Sequence, residues 1–142
     1  SYKKMNKLLS EQIRANVEGA ADIDTSDFTS AVYLDARDFR RIFCHAQTTT
    51  TIDSADTLTL QLLQATDASG TGSKNLGSAA VFTADATEVA NVVADALVSS
   101  LDEANGFYFV GFQIGTDKGS AVVGAASLVL GDAKFEPVVQ PS

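Results

Sequence analysis

The sequence predicts a mainly β protein, an antiparallel β-sandwich that follows an N-terminal amphipathic helix. About seven short segments rich in β-branched, aromatic or alternating apolar residues favour the sandwich, and turn-forming Gly, Asn and Asp residues lie between them. Helical spacing of the apolar residues near the start of the chain indicates the helix. A chain of 142 residues, 45% of them hydrophobic, is long enough to bury one core.

Residues 2–18 are predicted to form the helix, because apolar and charged side chains fall on opposite sides of it. Its apolar stripe consists of Met5, Leu8, Leu9, Ile13 and Val17. Gly19 is the expected helix stop. Since so short a helix is marginally stable alone, the stripe should pack on the domain or on a neighbouring molecule. The predicted organisation is a helical arm (1–19), a linker (20–30), a β-sandwich domain (31–137) and a C-terminal tail (138–142).

The first half of the domain contains three predicted strands, at residues 31–34, 41–48 and 57–64. The third alternates most regularly, with Leu58, Leu60 and Leu62 on one face and polar residues on the other. This pattern is typical of a half-buried antiparallel strand. The glycine- and serine-rich residues 67–77 are predicted to form a loop.

The second half begins with a predicted strand at residues 78–83. Residues 86–101 fit either a helix or a strand followed by a helical turn, and the neighbouring strands favour the second. Residues 107–114 form the strongest predicted strand, and residues 121–130 form the last one. The expected core face of the strongest strand is Tyr108, Val110, Phe112 and Ile114.

The charges are unevenly distributed along an acidic chain with a net charge of −8. From residue 42 onward there are eleven acidic residues and three basic ones, Lys74, Lys118 and Lys134. A nucleic-acid-binding domain needs a basic patch, so nucleic acid is not the expected partner. No apolar run approaches the roughly 20 residues of a membrane span, so no membrane contact is expected either.

Three patterns resemble chemical motifs, and each fails a physical test. Cys44 and His45 are neighbours on a predicted strand, so their side chains point to opposite faces and cannot form a nucleophile–base pair. They are predicted to be a core residue and a surface or interface residue. Residues 22–33 lack the glycine and glutamate of a calcium loop, and residues 70–74 lack the spacing of a phosphate loop. We therefore expect no enzyme activity, no metal and no cofactor.

Three segments carry a family resemblance: TLTLQLLQATDASGTGSKNLG (57–77), LDEANGF (101–107) and GDAKFEP (131–137). They resemble the auxiliary head proteins of tailed bacteriophages, known as cement or decoration proteins, and are similar to the jelly-roll cement protein of a Bordetella podovirus. The resemblance covers about residues 31–137.

The resemblance implies a jelly-roll-like sandwich that binds the outside of a phage capsid and holds major capsid protein subunits together. It implies a virion protein assembled in the host cytoplasm, with self-association as a dimer or trimer on the capsid. Two alternatives stay open: a carbohydrate- or receptor-binding head fibre, and a tail or head–tail connector component.

The expected partner-binding residues follow from the helical stripe and from the charge asymmetry. Apolar docking is assigned to Met5, Leu8, Leu9 and Ile13. Complementarity to an acidic capsid surface is assigned to Lys3, Lys4, Lys7, Arg14, Arg37, Arg40 and Arg41.

Overall fold

Two antiparallel β-sheets packed face to face make up the protein in a computed structural model that describes residues 12–134. The strands are β1 (Arg14–Ala20), β2 (Phe28–Thr29), β3 (Leu34–Asp35), β4 (Phe39–Thr48), β5 (Thr57–Ala65), β6 (Lys74–Asn75), β7 (Ala80–Thr83), β8 (Asn91–Leu97), β9 (Phe109–Thr116) and β10 (Gly124–Ala133). Two 3-10 turns, Val98–Ser100 and Glu103–Asn105, connect β8 to β9.

The strand order is that of a jelly roll. Sheet A has the order β1-β10-β4-β8; sheet B has the order β2-β9-β5-β6, with β3 also beside β9 and β7 beside β5. The short strands β2 and β3 pair with β9 one after the other, so they form one interrupted strand. Eight strands remain when β2 and β3 are counted as one strand and the two-residue β6 is left out. Renumbered 1 to 8 along the chain, they give the orders 1-8-3-6 in sheet A and 2-7-4-5 in sheet B, which is the double Greek key of a jelly roll. The predicted mainly β sandwich is confirmed.

The core lies between the sheets, where the alternating positions of the long strands meet. Leu58, Leu60 and Leu62 of β5 are buried, as their alternation predicts. From β9, Val110, Phe112 and Ile114 join them, and Phe112 is fully buried. Tyr108 differs from its prediction, because β9 starts at Phe109 and leaves Tyr108 half-buried before the strand.

The predicted N-terminal helix is wrong for the residues that the structure describes. The last residues of the predicted helix belong to β1 instead. β1 pairs with β10 from Arg14, opposite Leu130, to Ala20, opposite Gly124. Val17, expected on the apolar stripe, is 66% exposed. A continuous ladder against β10 outweighs the weak helical preference of so short a segment. The remainder of the predicted helix, residues 2–11, lies outside the described residues.

Gly19 has a different role from the predicted helix stop. A Cβ at this position would lie 2.8 Å from the Ala125 Cβ, so glycine lets β1 approach β10 closely. The residues assigned to a linker also contain β2 and the fully buried Ile23.

The ambiguous residues 86–101 form a strand followed by a helical turn, which confirms the favoured interpretation. β8 ends at Leu97, and the 3-10 turn Val98–Ser100 follows directly. The last two long strands begin two to three residues later than predicted. In residues 12–134, no helix is long and apolar enough to cross a membrane.

Candidate interaction surface

Four predicted partner-binding residues, Arg14, Arg37, Arg40 and Arg41, lie at one end of the sandwich. This arginine end is where β1 and β4 begin and where β10 finishes. The Arg14 guanidinium lies over the Phe39 ring, 5.5 Å from its centroid, and donates a hydrogen bond of 3.2 Å to the Asp35 carbonyl. Arg14 therefore also supports the end of the core.

Arg37 lies in the turn between β3 and β4 and holds a carboxylate beside two aromatic rings. Its Nε donates to Asp35 Oδ1 at 3.0 Å, and its guanidinium lies 5.1 Å from the centroid of Tyr108 and 5.9 Å from that of Phe109. Burial raises the pKa of Asp35, but the hydrogen bonds and charge of Arg37 outweigh that effect, so the pKa lies below its usual value.

Arg40 and Arg41 are both exposed because the alternation of β4 breaks there. Phe39 and Ile42 are both buried, which leaves two successive side chains outside. On β10 the opposite residue, Asp132, has a left-handed φ of 57°. Its carboxylate lies 3.7 Å from Arg40 Nη1 and 3.8 Å from Arg41 Nε, so one anion faces two cations.

A groove of about 430 Å³ opens beside these arginines. Its apolar wall comes from Phe39, Leu97 and Val98, and its charged residues are Arg40, Arg41, Glu103, Asp132 and Lys134. The groove thus combines apolar area with three cationic and two anionic side chains. Ile13 lies half-buried next to this end, beside Gly131. Lys3, Lys4, Met5, Lys7, Leu8 and Leu9 lie outside the described residues.

The opposite end of the sandwich is acidic. It consists of the loops that follow β1, β4, β7 and β9, residues 21–27, 49–56, 84–90 and 117–123. Within these loops Lys118 is the single basic residue. The acidic residues there are Asp22, Asp24, Asp27, Asp53, Asp56, Asp85, Glu88 and Asp117. The molecule is therefore electrically polarised along its strands.

The outer faces of the two sheets differ in polarity. On sheet A the exposed side chains of Val17, Phe43, Val93 and Leu97 are 44–66% accessible. Register places Val17 and Val93 in one row across the sheet and Phe43 in the next. On sheet B the outer side chains of the central strands include Thr57, Thr59, Gln61 and Gln113.

Cys44 and His45 point to opposite faces of β4, as predicted. Cys44 is fully buried, and desolvation raises the pKa of its thiol to about 12, so the thiolate is scarce near neutral pH. His45 lies half-buried on the outer face of sheet A, with Nε2 2.9 Å from Asn91 Oδ1. The pair has no geometry for nucleophilic catalysis.

The acidic loop that resembles a calcium site is a hydrogen-bonded turn. The Asp22 carboxylate accepts bonds from the Thr25 hydroxyl at 2.7 Å and from the backbone N–H of Asp24 at 2.8 Å and Val122 at 3.4 Å. These bonds, led by the Thr25 hydroxyl, lower the pKa of Asp22 to about 2. Among residues 12–134, no group of three or more His, Cys, Asp or Glu is arranged to hold a metal ion.

The glycine-rich loop after β5 is organised by Asp67. Its carboxylate accepts hydrogen bonds from the Thr71 hydroxyl and from the backbone N–H of Ser69 and Thr71. The Thr71 hydroxyl is the largest cause that lowers the pKa of Asp67. Since the backbone N–H groups of Ser69 and Thr71 donate to the Asp67 carboxylate, the loop does not present them to a phosphate.

The apolar outer face of sheet A was not predicted from the sequence. Phe43 lies in a segment correctly predicted as a strand, and its alternation with the buried Cys44 places it on the outside. Val93 and Leu97 could have been found in the same way once residues 86–101 were taken as a strand.

No protein-family model matches the chain. No curated protein matches it either.

Several solved structures are similar in backbone fold to part of this chain, at low sequence identity. A chain of infectious bursal disease virus, Gx strain, is 12% identical with a TM-score of 0.47; the match covers 89% of this chain and 34% of that one. A chain of the cowpea mosaic virus top component is 8% identical with a TM-score of 0.43, over 80% of this chain and 63% of that one. The globular domain of zebrafish complement 1qA is 11% identical with a TM-score of 0.42, over 88% and 99%. The chain thus spans about a third of the first viral chain, and likenesses this distant transfer no function.

Proposed function

We propose that this protein is a structural component of a tailed-bacteriophage head that binds the outside of the capsid and cements or decorates the major capsid protein. The proposal starts from the three sequence segments that resemble phage cement proteins. The observation that carries it further is the arginine end, where Arg40 and Arg41 line a partly apolar groove and Arg14 and Arg37 lie at the same end of the sandwich.

The composition of the arginine end suits contact with an acidic protein surface. Arg40 and Arg41 are 55% and 71% exposed, and they share the single Asp132 carboxylate. Exposed ion pairs contribute only about 0–1 kcal/mol each. A shell nevertheless multiplies weak contacts, since a subunit held at one point binds its second site at high effective concentration.

Capsid binding can be tested by adding the purified full-length protein to capsids that have been stripped of it and measuring co-sedimentation. The double variant Arg40→Gln/Arg41→Gln should bind about three- to tenfold more weakly, because two rim charges are lost. Lys74→Gln/Lys118→Gln removes the same formal charge away from the groove and should bind like the unmodified protein.

Equal weakening in both double variants would mean that only net charge matters and that the arginine end is not the contact. The residues assigned to apolar docking are tested separately. The double variant Leu8→Ser/Leu9→Ser in the full chain should lower capsid occupancy. Mass spectrometry of separated heads and tails decides the location. Recovery of the protein with tails would contradict a cement role and favour a tail or connector component.

A further inference from the structure

We propose that β8 is a docking edge, which takes an extended, cationic segment of a partner polypeptide as an added β-strand. This site adjoins the arginine end, with which it shares Arg41 and Leu97, and the proposal does not depend on the partner being a capsid protein. It rests on the backbone direction of β8, on the contrast between the two edges of sheet A, on the grooves beside β8 and on its charge.

The backbone of β8 presents hydrogen-bonding groups at an open edge. Thr48 N–H donates to the Ala90 carbonyl at 3.0 Å, so this pair is hydrogen-bonded across β4 and β8. Hydrogen-bonded and non-hydrogen-bonded pairs alternate in an antiparallel ladder. The N–H and C=O groups of Val93, Asp95 and Leu97 therefore point away from β4. Within residues 12–134, β8 pairs with no other strand.

The other edge of sheet A holds a loop through a side chain of β1. The Glu18 carboxylate of β1 accepts bonds from the N–H groups of Ala31 at 2.9 Å and Val32 at 3.1 Å, which ties a loop of the chain to that edge. β8 has seven residues and carries neither the proline nor the lysine that commonly protects an edge strand. Its exposed Val93 and Leu97 are 55% and 51% accessible.

Two grooves border the open edge and can receive the side chains of an added strand. One, of about 260 Å³, lies between β8 and the start of β7, where Ser78, Ala79 and Ala80 contribute only small side chains. The other, of about 300 Å³, is lined by Arg41 and Phe43 of β4 and by Asp95 and Leu97 of β8. Because side chains of a strand alternate between its two faces, an occupant with apolar residues at every second position places them in the groove beside β7 and its other side chains on the outer face of sheet A, where Asp95 lies.

The charge around the edge selects a cationic occupant. Residues 75–117 contain no lysine or arginine. The acidic residues of β8 and of the loops on either side of it are Asp85, Glu88, Asp95, Asp102 and Glu103. Asp95 is the one charged residue on β8 itself. Of the cations nearby, Lys74 lies 2.5 Å from Asp102, and Arg41 lies on the side of β4 towards Asp132, 3.8 Å from its carboxylate. A lysine or arginine of the occupant would therefore face Asp95.

The probe is a synthetic nine-residue peptide of alternating lysine and valine, titrated into the full-length ¹⁵N-labelled protein and followed by NMR. We expect chemical-shift changes and slowed hydrogen exchange at the amides of Val93, Asp95 and Leu97. A peptide of alternating glutamate and valine should bind about tenfold more weakly, because it places like charges beside Asp95.

Val93→Pro is the decisive variant, because it removes an N–H that points to the open edge while the bonds to β4 remain. It should weaken binding of the lysine peptide by about tenfold. Val93→Thr keeps the branched shape and the N–H and should bind normally. If Val93→Pro does not fold, Asp95→Lys serves instead and should reverse the preference between the two peptides.

The proposal is overturned if the lysine peptide does not bind, if Val93→Pro binds it as well as Val93→Thr does, or if the shifts map to β1 and β10 instead of β8. These readouts need no capsid. A failure here leaves the capsid-binding test intact, and a failure of capsid binding leaves the docking edge intact.

Discussion

The Asp22 carboxylate fastens the loop after β1 to the segment that leads into β10. It accepts hydrogen bonds from residues next to it and from the distant Val122 N–H, 100 residues away in the chain. An ionised carboxylate accepts such bonds better than a protonated one, which is why the pKa of Asp22 falls to about 2. Folding is therefore linked to the ionisation of this group.

Replacement of Asp22 by Asn should lower the melting temperature by a few degrees at pH 7. Since the folded-state pKa of about 2 lies below the usual 3.8, the stabilisation is complete above about pH 4 and is lost as the pH falls towards 2. The difference between Asp22→Asn and the unmodified protein should shrink over that range, as measured by circular dichroism melts. Asp85→Asn is a control of equal charge change. A difference that stays constant from pH 7 to pH 2 would show that the ionisation of Asp22 is not involved.

At the scale of single elements, β1 shows how a side chain can protect a strand edge. Glu18 lies half-buried on β1, and each of its carboxylate oxygens accepts one backbone N–H of the loop before β3. Asn16 supports it, since its Nδ2 donates to Glu18 Oε2 at 2.8 Å. The loop and the strand therefore protect each other's polar groups.

Glu18→Ala should loosen that loop without unfolding the sandwich. Backbone amides of Ala31 and Val32 should exchange with deuterium about tenfold faster, because they lose their acceptor. Amides in the centre of β4, such as that of Cys44, should keep their protection. Asn16→Ala removes the supporting donor but keeps the carboxylate, so it should have a much smaller effect. Unchanged exchange at residues 31 and 32 would mean that the loop is held by other contacts.

The elements that the sequence predicted are those whose own pattern matches their environment. β5 alternates because one side faces the core, and its leucines are buried where the pattern placed them. β1 has no such pattern, since its place is set by pairing with β10 more than 100 residues later. Local periodicity does not report pairing over such a distance, and so a helical spacing misled the prediction.

The same reasoning separates the predictable and unpredictable parts of the candidate surfaces. The arginines could be named from charge asymmetry alone, but their meeting at one end depends on the register of β1, β4 and β10. Arg40 and Arg41 are both exposed where Asp132 on β10 adopts a left-handed backbone conformation. A contact outside these surfaces, between Gly111 and the Tyr33 ring, also joins residues far apart in the sequence. A Cβ at position 111 would lie 2.6 Å from that ring.

At the scale of the whole molecule, the acidic end concentrates repulsion between carboxylates. Eight acidic residues and Lys118 lie in the four loops of that end. Like charges on neighbouring loops destabilise the compact state, and the range of their repulsion falls from about 30 Å in 0.01 M salt to about 3 Å in 1 M salt.

The melting temperature should therefore rise by a few degrees when sodium chloride is raised from 0.01 M to 1 M. The variant Asp27→Asn/Asp85→Asn removes two carboxylates from the acidic end and should show a smaller rise. Asp95→Asn/Glu103→Asn removes two carboxylates elsewhere and is the matched control. Equal salt dependence in both double variants would assign the effect to net charge alone.

The adjacency of β1 and β10 has a mechanical consequence. The described chain enters the sandwich at the start of β1 and leaves it at the finish of β10, and these points lie side by side because the two strands are antiparallel partners. A pulling force between these two points would break the backbone hydrogen bonds between β1 and β10 one after another, and would meet little resistance. A force borne across the sheets would have to break many hydrogen bonds at once. A partner that exerts tension on the sandwich should therefore contact the faces and edges of its sheets, not the start of β1 and the end of β10.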